Sequence, residues 1–231
     1  MLLLVTDTSG KNGTVALARA GERSVGDAEP NDAEVIEVVP LAGGMFSAQL
    51  VPQIAALLQQ HGFSKTDIGA FVVISGPGSF TGLRVGLAAI KALAEILHKP
   101  IVPISLLQTV ATASRVQGKV VAMLDAGRGE VYFGAYEIAG TSLQVLREEL
   151  LSQSELASAA GRSTIVTPHP ALLAMARDAG LSVSAVEPPS VATIAWFGWK
   201  KLQAGATVSP EHLEANYMRR SDAELFVKRS F

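Results

Sequence analysis

The chain has no cysteine, which excludes a disulfide, a thiol nucleophile and a cysteine-ligated metal. Charge is scarce as well: 17% of the 231 residues are Asp, Glu, Lys or Arg, and the net charge is only −2. A chain so close to neutral lacks the positive field by which a protein binds nucleic acid on its own. No apolar run reaches the length of a membrane span. The opening MLLLVTDTSG has no basic stretch and meets Asp7 too early for a secretory signal. The expectation is a cytoplasmic protein that does not enter a membrane. His61, His98, His169 and His212 stand far apart, with no i, i+4 pair to hold a metal. His61 and His98 read as ordinary helix-end residues, and His169 lies between two prolines.

What is abundant is apolar residues, 48% of the chain; with so few charges this implies an apolar surface for a soluble monomer and points to association. The chain is organised around residues 68–104. Ile68 to Ser75 is an apolar, β-branched run that reads as a buried strand. The loop Gly76-Pro77-Gly78-Ser79 breaks it. Thr81 is the expected N-cap of the next helix, with Phe80 stapled to Val85. The helix should run about sixteen residues, roughly 24 Å, with His98 and Lys99 at its C-terminal end and Pro100 as the stop. Ile101 to Ile104 follows as a second strand, giving a β-α-β unit.

From Leu83 to Leu97 the only charges are Arg84, Lys91 and Glu95, within about 40° of one another at 100° per residue. The rest of the circumference is apolar, whereas a helix on a monomer's sheet needs a stripe little wider than 100°. The expectation is a helix packed on a sheet and on a partner. Gly82, Gly86, Ala89, Ile90 and Leu93 are the candidate contact residues, joined by Leu50, Ile54 and Leu57 of a helix over 47–61. A wholly buried core helix is the competing reading.

Elsewhere, Leu2 to Val5, Thr14 to Arg19 and Glu34 to Pro40 read as strands, and Gly43-Gly44 as a turn. Pro52 must bend the 47–61 helix or mark its start. Helices are expected over 106–117, 154–160, 170–179 and 191–204, and strands over 119–124 and 163–166. VTDTSGKNGTVALARAG and MLDAGRGEVYFGAYEIAG share the order strand, Asp, small residues, turn, strand, Ala, Gly. Two such halves, 1–105 and 106–231, resemble the duplicated α/β architecture of actin, Hsp70 and the sugar kinases (the ASKHA fold). In that fold the two hairpin turns grip phosphates, which makes Asp7, Thr8, Ser9 and Asp125 candidate nucleotide contacts. Turn capping by the two aspartates is an equally good account.

The glycine loop matches no phosphate or nucleophile motif. Its spacing is G-x-G-x-x-x-G, Pro77 removes an amide, no Gly-Lys-Ser/Thr follows, and Ser79 lacks a nucleophile elbow. Gly76, Gly78, Ser79 and Thr81 therefore read as a structural corner. Arg219, Arg220, Lys228 and Arg229 form a small basic cluster that reads as a solvated end.

GPGSFTGLRVGLAAIKALA, the opening TDTS, DAGRGEVYFGAY and the late YMRRSDAEL together resemble the TsaB (YeaZ) family. The resemblance implies a subunit without catalysis or cofactor of its own, required for N6-threonylcarbamoyladenosine in tRNA. It also implies a TsaD-like catalytic paralogue and a TsaE-like ATPase as partners, a homodimer when alone, and tRNA contact only through the complex. The paralogue's metal-binding histidines align with Leu106 and Val110, which cannot ligate. Phe46 stands where the family commonly has His, beside the expected partner face, and Ala215 replaces a Pro near Tyr217. The alternative is an ATP- or metal-dependent enzyme of the same fold, kinase-like or peptidase-like, which Asp7 and Asp125 keep open.

Overall fold

The computed structural model describes residues 1–21 and 33–219. It forms two compact units: Met1–Ser105 with Ser190–Asn216, and Leu106–Pro189 with the described residues from Tyr217 on.

In the first unit β1 (Leu2–Asp7) and β2 (Gly13–Ala20) form an antiparallel hairpin running from Leu2 opposite Arg19 to Asp7 opposite Thr14. β3 (Ala33–Leu41) continues it antiparallel. After α1 (Phe46–Gln60), β4 (Ile68–Gly76) lies parallel to β1. After α2 (Phe80–Leu97), β5 (Ile101–Ser105) lies parallel to β4. The sheet order is β3-β2-β1-β4-β5. β1 and β4 are buried almost throughout, because both faces of the sheet are covered. On one face Leu2, Leu4, Leu17, Phe71, Val73 and Ile101 pack with Leu50, Ile54 and Leu57 of α1 and Leu87, Ile90 and Ala94 of α2.

The second unit begins with α3 (Leu106–Ala113) and repeats the pattern. β6 (Gly118–Gly127), β7 (Glu130–Ala139) and β8 (Ser142–Ser152) form an antiparallel meander. α4 (Leu156–Ala160) leads to β9 (Thr164–Thr167), which is parallel to β6. α5 (Pro170–Asp178) leads to β10 (Val183–Ala185), which is parallel to β9. The order β10-β9-β6-β7-β8 matches the first sheet strand for strand. Even the bulges coincide: Ile36 is the extra residue on β3 opposite Leu17 and Ala18, and Leu146 is the extra residue on β8 opposite Ala135 and Tyr136. Two copies of one topology, each led by a hairpin with an aspartate at the end of its first strand, make this the duplicated ASKHA-like fold.

The last helix, α6 (Val191–Gln203), buries Ile194, Ala195 and Gly198 against the first sheet. A Cβ on Gly198 would lie 2.7 Å from Val72 Cγ2, so glycine is what lets the helix reach the strand. The halves 1–105 and 106–231 expected from sequence therefore need correction, since Ser190–Asn216 belongs to the first unit.

Several local expectations also need correction. α3 ends at Ala113 rather than 117, because Arg115 turns into the left-handed region at φ 56°. α1 runs through Pro52 without ending; the carbonyl of Ala48 that loses its donor is on an exposed residue and can bond water. β8 and β10 were not expected. The bulge in β8 breaks the alternation that would mark a strand, and three residues of β10 are too few to show any period.

Candidate functional site

The corner between β4 and α2 is held from two sides. Ser79 N–H donates to Ser9 O at 2.7 Å, and Asn216 N–H donates to Ser75 O at 2.7 Å. Gly76 has φ 130°, and a Cβ there would lie 2.8 Å from Asn216 O; a Cβ on Gly78 would overlap Ser9 O. The N-cap is Ser79, whose Oγ accepts from Gly82 N at 3.3 Å. Thr81 lies inside the helix, so the cap expected there falls two residues earlier. Phe80 is the first helical residue, inside the cap and so not at the staple position expected for it, and its ring lies 3.7 Å under the Arg84 guanidinium. His98 closes the helix in the left-handed region at φ 52°.

The β1–β2 turn packs directly on this corner. A Cβ on Gly82 would overlap the Thr8 carbonyl oxygen, and one on Gly86 would overlap Thr8 Oγ1. Gly82 and Gly86 of the small-residue ridge are thus the seat of the chain's own turn. Leu50, Ile54, Leu57 and Ile90 are buried in the chain's own core. Of the residues expected at a partner contact, only Ala89 and Leu93 keep part of their surface. Phe46 is buried too, in contact distance of Gly82 and Gly13, where added Cβ atoms would lie 3.2 and 2.9 Å from its ring. The substitution at this position therefore alters the packing under the corner rather than an outer surface. Ala215 is half-buried against the same core.

The outward side of the two helices is nevertheless apolar. On α2 the exposed residues are Thr81, Arg84, Ala88, Ala92, Glu95 and Ile96, with Val85, Ala89 and Leu93 half-covered beside them. Ile96 is 68% exposed. On α1, Ala48, Val51, Pro52 and Ala55 form an exposed row at i, i+3, i+4 and i+7, with Met45 just before it; Met45 is 50% and Val51 49% exposed. No residue of α1 is charged. Sequence reasoning found the buried row of α1 and missed this one, although fifteen residues without a charge carried the signal.

Asp7 and Asp125 sit at equivalent hairpin ends and do the same job. Asp7 Oδ1 accepts from Ser9 N at 2.8 Å and Ser9 Oγ at 2.6 Å, and Asp125 Oδ1 accepts from Gly127 N at 2.8 Å. Burial pushes the Asp7 carboxyl above its ordinary value, against the pull of the two Ser9 donors. Thr8 and Ser9 are buried. In the other unit Leu106 and Val110 point apolar side chains from α3 toward the second core. Among the described residues no three His, Asp or Glu side chains converge, and no helix is long and apolar enough to cross a membrane. Arg219 is held by the Glu130 carboxylate and by Gly127 O at 3.1 Å, so it is tied to the β6–β7 hairpin rather than solvated. Arg220, Lys228 and Arg229 lie outside the described residues, as does most of the YMRRSDAEL stretch.

The family model described as TsaD, tRNA N6-adenosine threonylcarbamoyltransferase, matches residues 38–165. The tRNA threonylcarbamoyladenosine biosynthesis protein TsaB of Bacillus subtilis (strain 168) is 33% identical over 59% of this chain and 56% of its own length. The protein of that name in Escherichia coli (strain K12) is 28% identical over 84% of this chain and 89% of its own. The match therefore spans little more than half of the first relative and most of the second. YeaZ from Pseudomonas aeruginosa superposes with a TM-score of 0.72 at 22% identity, covering 94% of this chain and 99% of that one, which speaks for the fold. With a family model over more than half of its length and TsaB relatives along most of it, the chain belongs to the TsaB (YeaZ) family.

Proposed function

We propose that this chain is a non-catalytic subunit in the formation of N6-threonylcarbamoyladenosine in tRNA, and that it acts by pairing with a TsaD-like catalytic paralogue through the outward face of α1 and α2. The carrying observation is that face: two adjacent helices expose Val51, Pro52, Ala88, Ala92 and Ile96 beside the GPGSFTG corner, a patch that water leaves unsatisfied and a partner's helices would cover. The turns at Asp7 and Asp125 bond inward to Ser9 and Gly127, which fits a scaffold better than a phosphate grip. In this reading a TsaE-like ATPase completes the complex, tRNA is met only through it, the chain alone forms a homodimer, and all of this takes place in the cytoplasm.

The test is Ala92→Arg, which adds a long charge to an exposed position and should leave the fold intact. The tagged variant should lose the TsaD-like paralogue on co-purification, and cells relying on it should lose threonylcarbamoyladenosine from digested tRNA. A folded variant that keeps both the paralogue and the modified nucleoside overturns the proposal.

A further inference from the structure

We infer that the cleft between the C-terminal turn of α2 and residues 207–210 binds a small zwitterion of the α-amino-acid class, its ammonium toward Glu95 and its carboxylate toward Lys99. The cleft holds about 330 Å³ and lies within the first unit. That is the small end of the range for ligand cavities. Ala94, Pro100 and Val208 give it apolar walls. Val208 N–H donates to Ile101 O at 2.9 Å and Ile101 N–H to Val208 O at 3.4 Å, so the far wall is tied to β5 and the cleft is formed in advance.

Glu95 and Lys99 both line the cleft, four residues apart, the spacing at which a continuing helix would pair them. The helix does not continue. His98 enters the left-handed region at φ 52°, and the N–H groups of His98 and Lys99 both donate to Ala94 O. That C-cap turns Lys99 off the helix face. The side chains of Glu95 and His98 make no hydrogen bond or ion pair among the described residues. The Lys99 ammonium lies within electrostatic reach of Asp67, but that carboxylate is exposed and already accepts from Ser64 N at 2.7 Å and Ser64 Oγ at 2.8 Å. The charges next to the cleft answer one another: Lys91 acts on Glu211, and His212 Nδ1 is hydrogen-bonded to Ser209 Oγ at 2.8 Å. A carboxylate and an ammonium that border one cleft without meeting are complementary to a ligand carrying the opposite two charges. The last carbonyls of α2 add the negative end of the helix on the Glu95 side. A plain amine or a plain acid leaves one of the two charges unmatched, and a polyanion is repelled by Glu95.

The experiment is an amide chemical-shift titration of the isotope-labelled full chain with L-norvaline, and with butylammonium and butyrate as its two halves. Norvaline should shift the amides of residues 94–100 and 207–210 with a Kd of about 1 mM or tighter. Each half should bind at least about ten-fold more weakly. Glu95→Gln and Lys99→Met should each weaken norvaline about ten-fold. Glu95→Gln should bind butyrate no less well than wild type, and Lys99→Met should do the same for butylammonium, which a collapsed cleft would not allow. The inference falls if norvaline at about 20 mM moves none of these amides, or if either half binds as tightly as the whole. It falls too if either variant binds norvaline as wild type does, or if both variants lose both halves.

Discussion

Gly82 of α2 and Thr8 of the β1–β2 turn touch backbone to backbone: there is no room for a Cβ on the glycine without displacing the Thr8 carbonyl. Four residues on, Gly86 meets Thr8 as well, but at the hydroxyl end of its side chain. The contrast yields a prediction. Gly82→Ala must move one main chain against another and should cost about 2–3 kcal/mol. At Gly86→Ala the obstructing hydroxyl can rotate aside, and helix propensity returns up to about 1 kcal/mol. Urea denaturation of the two variants should rank Gly82→Ala as the more damaging; the reverse order would mean that the turn is not seated as described.

Gly76 is bound by conformation and by a neighbour. At φ 130° an L side chain is strained by about 1–3 kcal/mol, and the first added atom would meet Asn216 O. Gly76→Ala should therefore lower the melting temperature by several degrees. Asn216→Pro, which removes the amide bonded to Ser75 O together with the asparagine side chain, should cost about 1 kcal/mol or more. Equal melting of both variants and wild type would count against a corner clamped by the 213–216 segment.

The sequence made the apolar circumference of α2 plain, and with it the need for two contacts. It did not say which apolar row meets which neighbour. Periodicity marks a stripe on a helix but carries no direction, so Gly82, Gly86 and Ile90 were placed outward when they face the chain's own turn and sheet. The helix over 191–204 is legible, but the same blindness hides where it packs. Ile194, Ala195 and Gly198 form a clear buried row, yet nothing in a row names the sheet it covers, and here that sheet lies in the unit more than eighty residues upstream. The hairpins were legible because a pairing of neighbours in sequence leaves its alternation and its turn in one place. The N-cap falls at Ser79 rather than Thr81 because both residue types can cap, and it is Ser79 whose Oγ accepts from Gly82 N.

Asp7 gives the chain a pH dependence of a definite sign. Burial raises its folded-state value above the ordinary 3.8, so its contribution to stability is fullest below that value and is lost as pH rises through the folded one. Asp67 and Glu155 work the other way. Hydrogen bonds from Ser64 and Ser152 lower them, and their contribution is lost as pH falls. Asp7→Asn keeps an acceptor for Ser9 and removes the buried charge. The variant should be more stable than wild type at pH 7, and its advantage should shrink as the pH is lowered toward 4, as read by urea unfolding at a series of pH values. A loss of stability that is the same at every pH would show that the carboxylate is not the costly form.

Leu50 and Val51 are neighbours on α1 with opposite fates, and together they separate folding from association. Leu50 is 1% exposed and packs in the core with Ile54 and Leu57, so Leu50→Ala should cost about 2–5 kcal/mol in the isolated chain. Val51 is half-exposed on the outward row, so Val51→Arg should change the unfolding free energy by no more than about 0.5 kcal/mol. In an assembly that covers the α1–α2 face the ranking inverts. The arginine would bring an unpaired charge into an apolar contact, whereas Leu50→Ala leaves the outward row as it was. Melting curves should therefore single out Leu50→Ala, and co-purification of the TsaD-like paralogue should single out Val51→Arg among variants that remain folded. If Val51→Arg instead unfolds the chain, the row lies under the chain's own structure; if it stays folded and still brings the paralogue down, the contact is made elsewhere.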